Sequence, residues 1–165
     1  MDLFELLSAE HEVLAALLGR IAELLDRSLH AEVADHFSVF STSFELHSQA
    51  EGEAVYPVLG EGPPALEALV RDAEHHHALA ETHIDRLSRM DVSLPQWRTH
   101  FEALVDLIQD HIALEEGAIR DVASAELTSD FSAELAHDYL ECKRRLARPV
   151  DGGLFAGPFQ VTPEV

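Results

Sequence analysis

The sequence predicts an all-α protein: an up-down-up-down antiparallel four-helix bundle, followed by a short fifth helix and a Gly/Pro-rich C-terminal tail. Apolar residues recur at helical spacing along almost the whole chain, and no stretch alternates between apolar and polar residues as a half-buried strand would. The segments "GEGPP" and "DVSLP" interrupt this pattern and divide the chain into long helical pieces. Long helices joined by short turns are typical of antiparallel bundles.

The first two helices are predicted from their apolar stripes. The first is expected over about residues 9–26, with Ser8 as its N-cap. The second is expected over about residues 31–56. The apolar stripe of the second helix includes two polar residues, His47 and Glu51. The other members of that stripe are Val33, Phe37, Phe40, Phe44 and Val55.

Three further helices follow the two breaker segments. They are expected over about residues 65–90, 96–123 and 130–147. These boundaries predict a bundle domain over residues 1–125, an additional helix packed on it over 126–148, and an irregular tail over 149–165. The apolar face expected for the fifth helix contains Phe131, Leu135, Tyr139, Cys142 and Leu146.

Composition limits the classes of function. The chain has 165 residues, enough for one domain with a sizeable core, and a formal net charge of −20, which disfavours binding to nucleic acid and to anionic membranes. Cys142 is the single cysteine, so no disulfide forms within the chain. No apolar run reaches the length of a transmembrane helix, and the acidic N-terminus is unlike a secretory signal peptide. We therefore expect a soluble cytoplasmic protein.

Two His/Glu pairs occur at the same spacing on different helices. Glu51 follows His47, and Glu115 follows His111, at four residues, so each pair projects from one side of its helix. Both pairs lie on the apolar stripe, where an unpartnered carboxylate is costly and a metal ion is one remedy. Imidazole with carboxylate suits iron, manganese or zinc. Tyr56 follows Val55 at the end of the predicted second helix. It is expected to pack at the end of the bundle or to tune a nearby iron.

Four histidines are expected at one level of the bundle. In an antiparallel bundle, residues at the same height are equidistant from the turn that joins their helices. The midpoints between His11 and His47, between His47 and His76, and between His76 and His111 all fall within predicted turns. One histidine from each helix therefore contributes to the same site.

The third-helix histidine is not fixed by this test, because His75, His76 and His77 are adjacent. Helical phase favours His76, which shares a stripe with His83, expected to be a hydrogen-bonded core residue or an outer partner of a ligand. If His77 is the ligand instead, Glu81 is a candidate for an additional carboxylate. The favoured stripe also contains Leu79, Ala80 and Leu87.

The order of these motifs resembles the hemerythrin-like (HHE cation-binding) family over roughly residues 3–123. The resemblance lies in one His in the first helix, HxxxE running on to "VYP", "EHHH" in the third helix and HxxxEE in the fourth. It implies a bundle holding two iron ions with an oxo or hydroxo bridge, in which the two carboxylates also bridge. His11, His47 and Glu51 would hold one iron. The other would be held by His76, His111 and Glu115.

The sequence departs from the oxygen carriers of that family at two positions. The carriers have HxxxH in the third helix, whereas Ala80 follows His76 at that spacing. They have Asp five residues after the fourth-helix His, whereas Glu116 occupies that offset and Glu115 precedes it. The pattern resembles the H-HxxxE-H-HxxxE variant, which implies binding or sensing of O2, NO or peroxide in oxidative stress more than oxygen transport. Catalase-like disproportionation of peroxide is left open.

A second hypothesis is an iron-responsive regulatory or protein-interaction bundle whose metal, iron or zinc, is structural. Imidazole ligands suit zinc as well as iron, so the ligand types do not separate the two hypotheses. A dry apolar pocket lined by residues such as Phe44 and Leu107 would favour a diatomic ligand. The expected binding partner is a small diatomic molecule or peroxide, and we expect no binding to nucleic acid or membrane. The protein is expected to be a monomer or a homodimer.

Overall fold

The computed structural model describes residues 1–148, and its regular elements there are all helical, which confirms the all-α prediction. The tail expected over 149–165 lies outside the described residues. Within those residues, no helix combines the length and apolar character needed to cross a membrane. The elements are α1 (Leu3–Asp26), α2 (His30–Ala50), the π-helical turn π1 (Glu51–Val55), α3 (Tyr56–Leu59), α4 (Pro64–Ser88), α5 (Pro95–Leu114), a second π-helical turn π2 (Glu115–Ile119), α6 (Arg120–Glu126) and α7 (Ser129–Leu146).

Helix α1 begins six residues earlier than the sequence pattern predicted. The Asp2 side chain accepts a hydrogen bond from the Glu5 backbone N–H at 2.9 Å, and the Glu5 carboxylate accepts one from the Asp2 N–H at 3.1 Å. This reciprocal capping box satisfies two N–H groups that a helix start leaves unpaired. The prediction of Ser8 as the N-cap is therefore wrong, and Ser8 lies inside the helix.

Both predicted breaker segments separate helices. Pro64 and Pro95 each occupy the first turn of their helix, where the missing proline N–H costs no helical hydrogen bond. The shorter turn between α1 and α2 includes Ser28, whose φ of 54° is in the left-handed region. The helices consequently meet through short connections.

Four long helices form the bundle. Helix α1 packs on α2 and α5, and α4 packs on α5 and α2. Helix α7 lies outside this group and packs on α1, α2 and π1. These contacts are compatible with the predicted up-down-up-down order, which stays a prediction. They give α7 a fixed position against the first half of the bundle.

Two apolar clusters fill the interior, and the buried histidines lie between them along the chain. In α1 the change from one cluster to the other occurs at His11. Leu7 belongs to the cluster on one side of this residue, called the lower cluster, and Leu14 belongs to the cluster on the other side, called the upper cluster. The lower cluster also includes Tyr56 and most of the buried face of α7. Phe131, expected on that face, is instead 40% exposed. A polar layer thus separates two apolar halves of the core.

The two helices that carry HxxxE each change from α to π geometry at the Glu. In π1 the Tyr56 N–H donates to the Glu51 carbonyl, and in π2 the Arg120 N–H donates to the Glu115 carbonyl, both five residues apart. Wider turns of this kind are rare and occur frequently at functional sites.

Candidate metal centre

The two His/Glu pairs predicted from the sequence lie together in the polar layer. His47 Nε2 is 3.2 Å from Glu51 Oε2, and His111 Nε2 is 3.4 Å from Glu115 Oε2. All four side chains are at most 2% exposed. The i,i+4 spacing therefore directs both pairs into the core and not into solvent.

Helices α1 and α4 each add one imidazole. His11 Nε2 lies 3.1 Å from Glu115 Oε2, and His77 Nε2 lies 3.1 Å from Glu51 Oε2. The Nε2 atoms of His77 and His111 are 3.2 Å apart. Four helices thus supply four imidazoles and two carboxylates to one buried region.

His77 occupies the place for which the sequence analysis favoured His76. His77 is buried, whereas His76 is only half-buried. The ring centroid of His76 lies 6.1 Å from that of His111. The phase chosen for α4 relied on Leu79, which is 39% exposed. Ala80 of the chosen stripe is buried, but the buried face of α4 continues through Ala73 and His77 and not through His76.

The other polar candidates on α4 are less buried than His77. His75 and Glu81 are exposed, so Glu81 does not add the carboxylate that ligation by His77 would have suggested. His83 is half-buried, and its Nδ1 is buried without a hydrogen-bond partner among the described residues.

Two of the imidazoles have an outer partner that the sequence analysis did not identify. His11 Nδ1 is 2.9 Å from Glu116 Oε1, which also accepts a hydrogen bond from the Ser8 hydroxyl at 2.9 Å. His47 Nδ1 is 3.0 Å from the Tyr139 hydroxyl, on α7. Outer partners of this kind set the tautomer and orientation of metal-binding histidines.

Tyr56 reaches both carboxylates. Its hydroxyl donates to Glu115 Oε1 at 2.5 Å and lies 3.3 Å from Glu51 Oε2. The phenol is therefore part of the site, and packing at the end of the bundle does not describe its role. Burial, together with the nearby carboxylates, raises the pKa of Tyr56 well above its usual value, which keeps the phenol protonated as a donor.

Burial shapes the charges of the metal-free site. It lowers the pKa of His77 to about 3 and that of His111 to about 4, with neighbouring imidazoles adding to the effect, and it lowers the pKa of His47 well below its usual value. Burial, reinforced by the Glu115 carboxylate, raises the pKa of Glu51 well above its usual range. These imidazoles are neutral near neutral pH, so their ring nitrogens have lone pairs for a cation.

The pair of His11 and Glu115 behaves differently. Burial opposes charge on both groups, but the 3.1 Å approach of His11 Nε2 to Glu115 Oε2 and the mutual attraction of the two charges outweigh it, so the pKa of His11 is raised and that of Glu115 is lowered. The two carboxylates of the site consequently prefer different protonation states when no metal is bound.

Several buried atoms of this layer have no hydrogen-bond partner within the described residues, although nitrogen and oxygen atoms lie close by. Unsatisfied buried polar atoms are costly, and coordination of a cation would satisfy them. Two overlapping sets of four donors, each with its ligand atoms within 4.8 Å of one another, share His47 and His111. The orphaned atoms of the layer are His11 Nε2, His47 Nε2, Glu51 Oε1, His111 Nδ1 and Glu115 Oε2.

The residues therefore fit a metal site, since mixed imidazole and carboxylate donors suit iron, manganese or zinc. Comparison with known families agrees with this chemistry: the model of the hemerythrin HHE cation binding domain matches residues 2–122. No curated protein and no solved structure matched the chain.

Proposed function

The chain belongs to the hemerythrin HHE cation-binding family, and from this membership we propose that it is a non-haem di-iron protein that binds or senses O2, NO or peroxide. Its membership and its buried His/Glu groups support metal binding. The choice of two irons rests on one geometric observation, the way in which imidazoles from opposite sides of the bundle share each carboxylate.

Each carboxylate lies between one imidazole from the α1–α2 side and one from the α4–α5 side. A carboxylate in this position is suited to bridge two metal ions, one on each side, as in di-iron bundles whose ligands project from facing helices. The pairs of contacts are His47 and His77 on Glu51, and His11 and His111 on Glu115.

The ligand set follows from these contacts. His11 and His47 would hold one iron and His77 and His111 the other, with Glu51 and Glu115 shared. Two iron ions held there would supply redox chemistry and binding positions for a diatomic molecule or peroxide. Because Tyr56 donates to Glu115 and lies within reach of Glu51, it would hold both carboxylates in their bridging orientation.

The surroundings of the site limit access of water. Phe44 is 1% exposed, and its ring centroid lies 5.7 Å from that of His77 and 6.4 Å from that of His47. The upper apolar cluster continues from Phe44, with Leu107 packed against it. An apolar wall beside the imidazoles favours an uncharged diatomic ligand over a hydrated ion.

The test is metal content together with an optical spectrum, on protein produced in iron-supplemented cells. We expect about two irons per chain and near-ultraviolet bands that change on addition of dithionite, peroxide or NO. A single zinc per chain with a flat spectrum would contradict the proposal and favour a bundle with a structural metal. Measurement of O2 evolution from peroxide decides whether the centre also disproportionates peroxide.

A further inference from the structure

We propose that α7 completes the metal centre through Tyr139, a positioning residue that fixes the tautomer and orientation of His47. This inference deepens the proposed function and rests on it. Tyr139 lies beyond residues 2–122, the part of the chain that the family model matches. The hydroxyl of Tyr139 is 3.0 Å from His47 Nδ1, and both residues have no measurable exposure.

The direction of the hydrogen bonds follows from proton counting. His47 Nε2 faces the Glu51 carboxylate at 3.2 Å, so it is the nitrogen available to a metal. A neutral imidazole that binds through Nε2 has its proton on Nδ1, and Nδ1–H then donates to the Tyr139 oxygen. The phenol keeps its own proton for a second acceptor.

That second acceptor is Glu10 of α1. The Tyr139 hydroxyl lies 3.4 Å from Glu10 Oε2, and the same oxygen accepts from the Lys143 ammonium. Glu10 and Lys143 are 24% and 23% exposed, so the relay ends at the bundle surface on a carboxylate whose charge is balanced. A chain of donors that ends on a carboxylate makes an imidazole a stronger metal ligand.

Contacts on both sides of Tyr139 hold α7 in register. Near its start, the Leu3 backbone N–H donates to the Ser132 hydroxyl at 3.0 Å in a buried contact between α7 and α1. Near its end, Arg145 pairs with Glu53 of π1, the turn that begins at Glu51. Helix α7 is therefore joined to α1, which carries His11, and to π1, which carries Glu51.

The test compares wild type with Tyr139→Phe, which keeps the ring but removes the hydroxyl. A second variant, Glu10→Gln, removes the charge at the end of the relay, and Cys142→Ala, one turn further along the same buried face, is the control. Titration with Fe(II) under anaerobic conditions gives the two affinities. Tyr139→Phe should weaken the site that includes His47 by about 10–100-fold, Glu10→Gln should weaken it by less, and Cys142→Ala should leave both affinities unchanged.

A second readout needs no metal. The ¹⁵N chemical shifts of His47 in the metal-free protein report its tautomer, which should be Nδ1–H in wild type and mixed in Tyr139→Phe. An Nε2–H tautomer in wild type, or unchanged tautomer and affinities in both relay variants, would overturn the inference. Wild type that takes up no iron would contradict the proposed function, whereas the tautomer still decides the role of Tyr139.

Discussion

The α1–α2 side and the α4–α5 side of the centre supply the same number of imidazoles but support them differently. On the first side, His11 contacts Glu116 and His47 contacts Tyr139 through Nδ1. On the second side, His111 Nδ1 is buried without a partner among the described residues, and the polar contacts described for His77 involve only its Nε2.

All four imidazoles can donate a lone pair to a metal, but within residues 1–148 only those of the α1–α2 side have a hydrogen-bond partner that fixes the orientation of the ring. Imidazoles with an outer partner have a fixed ring plane and tautomer, whereas those without one are held by packing and by the metal alone. We therefore expect the iron on the α1–α2 side to bind more tightly and the iron on the α4–α5 side to leave first when a chelator is added. Each of the following changes tests one part of that asymmetry.

Removal of a shared carboxylate should abolish the asymmetry, because both sides depend on it. Glu115→Ala should lose both irons, together with the increase in stability that bound metal gives wild type, which is about 2.7 kcal/mol for each site at a free metal concentration one hundred times the Kd of that site. Metal analysis and thermal unfolding with and without iron measure both effects. Glu12→Ala, at an exposed position of α1, is the control. Retention of two irons by Glu115→Ala would show that it is not a bridging ligand.

Loss of one imidazole should remove the weaker site alone. His77→Ala removes the α4 imidazole that contacts Glu51, a proposed ligand of the α4–α5 side, so we expect about one iron per chain and loss of the fast-released fraction. His76→Ala, at the adjacent half-buried position, should keep both irons. Iron analysis of the two purified variants shows which histidine is the α4 ligand. If His76→Ala lost an iron and His77→Ala kept both, the ligand would be His76.

Loss of an outer partner should reduce the difference in iron affinity between the two sites. Glu116→Ala removes the carboxylate on His11 Nδ1 and should weaken the tighter site by about 10–100-fold while the weaker one is unchanged. Chelator competition followed by stopped-flow absorbance gives both release rates. The same weakening of the α4–α5 iron would mean that Glu116 acts on the whole centre through Glu115, its neighbour in sequence.

The i,i+4 spacing of the two His/Glu pairs places both side chains of each pair on one side of any α-helix, and the structure brings both pairs into the buried layer. On α4 the sequence favoured His76, whereas the structure brings His77 to these pairs, because a stripe chosen with the exposed Leu79 and one through Ala73 differ little in apolar content. Tyr139 could not be found in this way, since its contact with His47 spans 92 residues and depends on how α7 docks. No spacing rule fixes that docking.

The π turns are the other feature that the periodicity did not reveal, and they explain Tyr56. In an α-helix, a residue five positions after Glu51 points about 140° away from it, which favours a role at the bundle end. The wider turn of π1 brings residues five apart onto the same side, so the Tyr56 hydroxyl lies within reach of Glu51. A change in helix geometry thus added a donor that serves both carboxylates.

The smallest predicted effect tests whether glycine is needed for these turns, which contain Gly52 and Gly117. A Cβ at either position meets no atom within 4 Å, and neither residue has positive φ. Gly52→Ala and Gly117→Ala should therefore each stabilise the protein by up to about 1 kcal/mol, since alanine loses less backbone entropy in a helical conformation. Both irons should stay bound with unchanged affinities, as measured by denaturant unfolding and iron titration. If either variant lost affinity, glycine would be required to hold the carboxylate of that turn in place, and the two sides of the centre could then be compared by which glycine matters more.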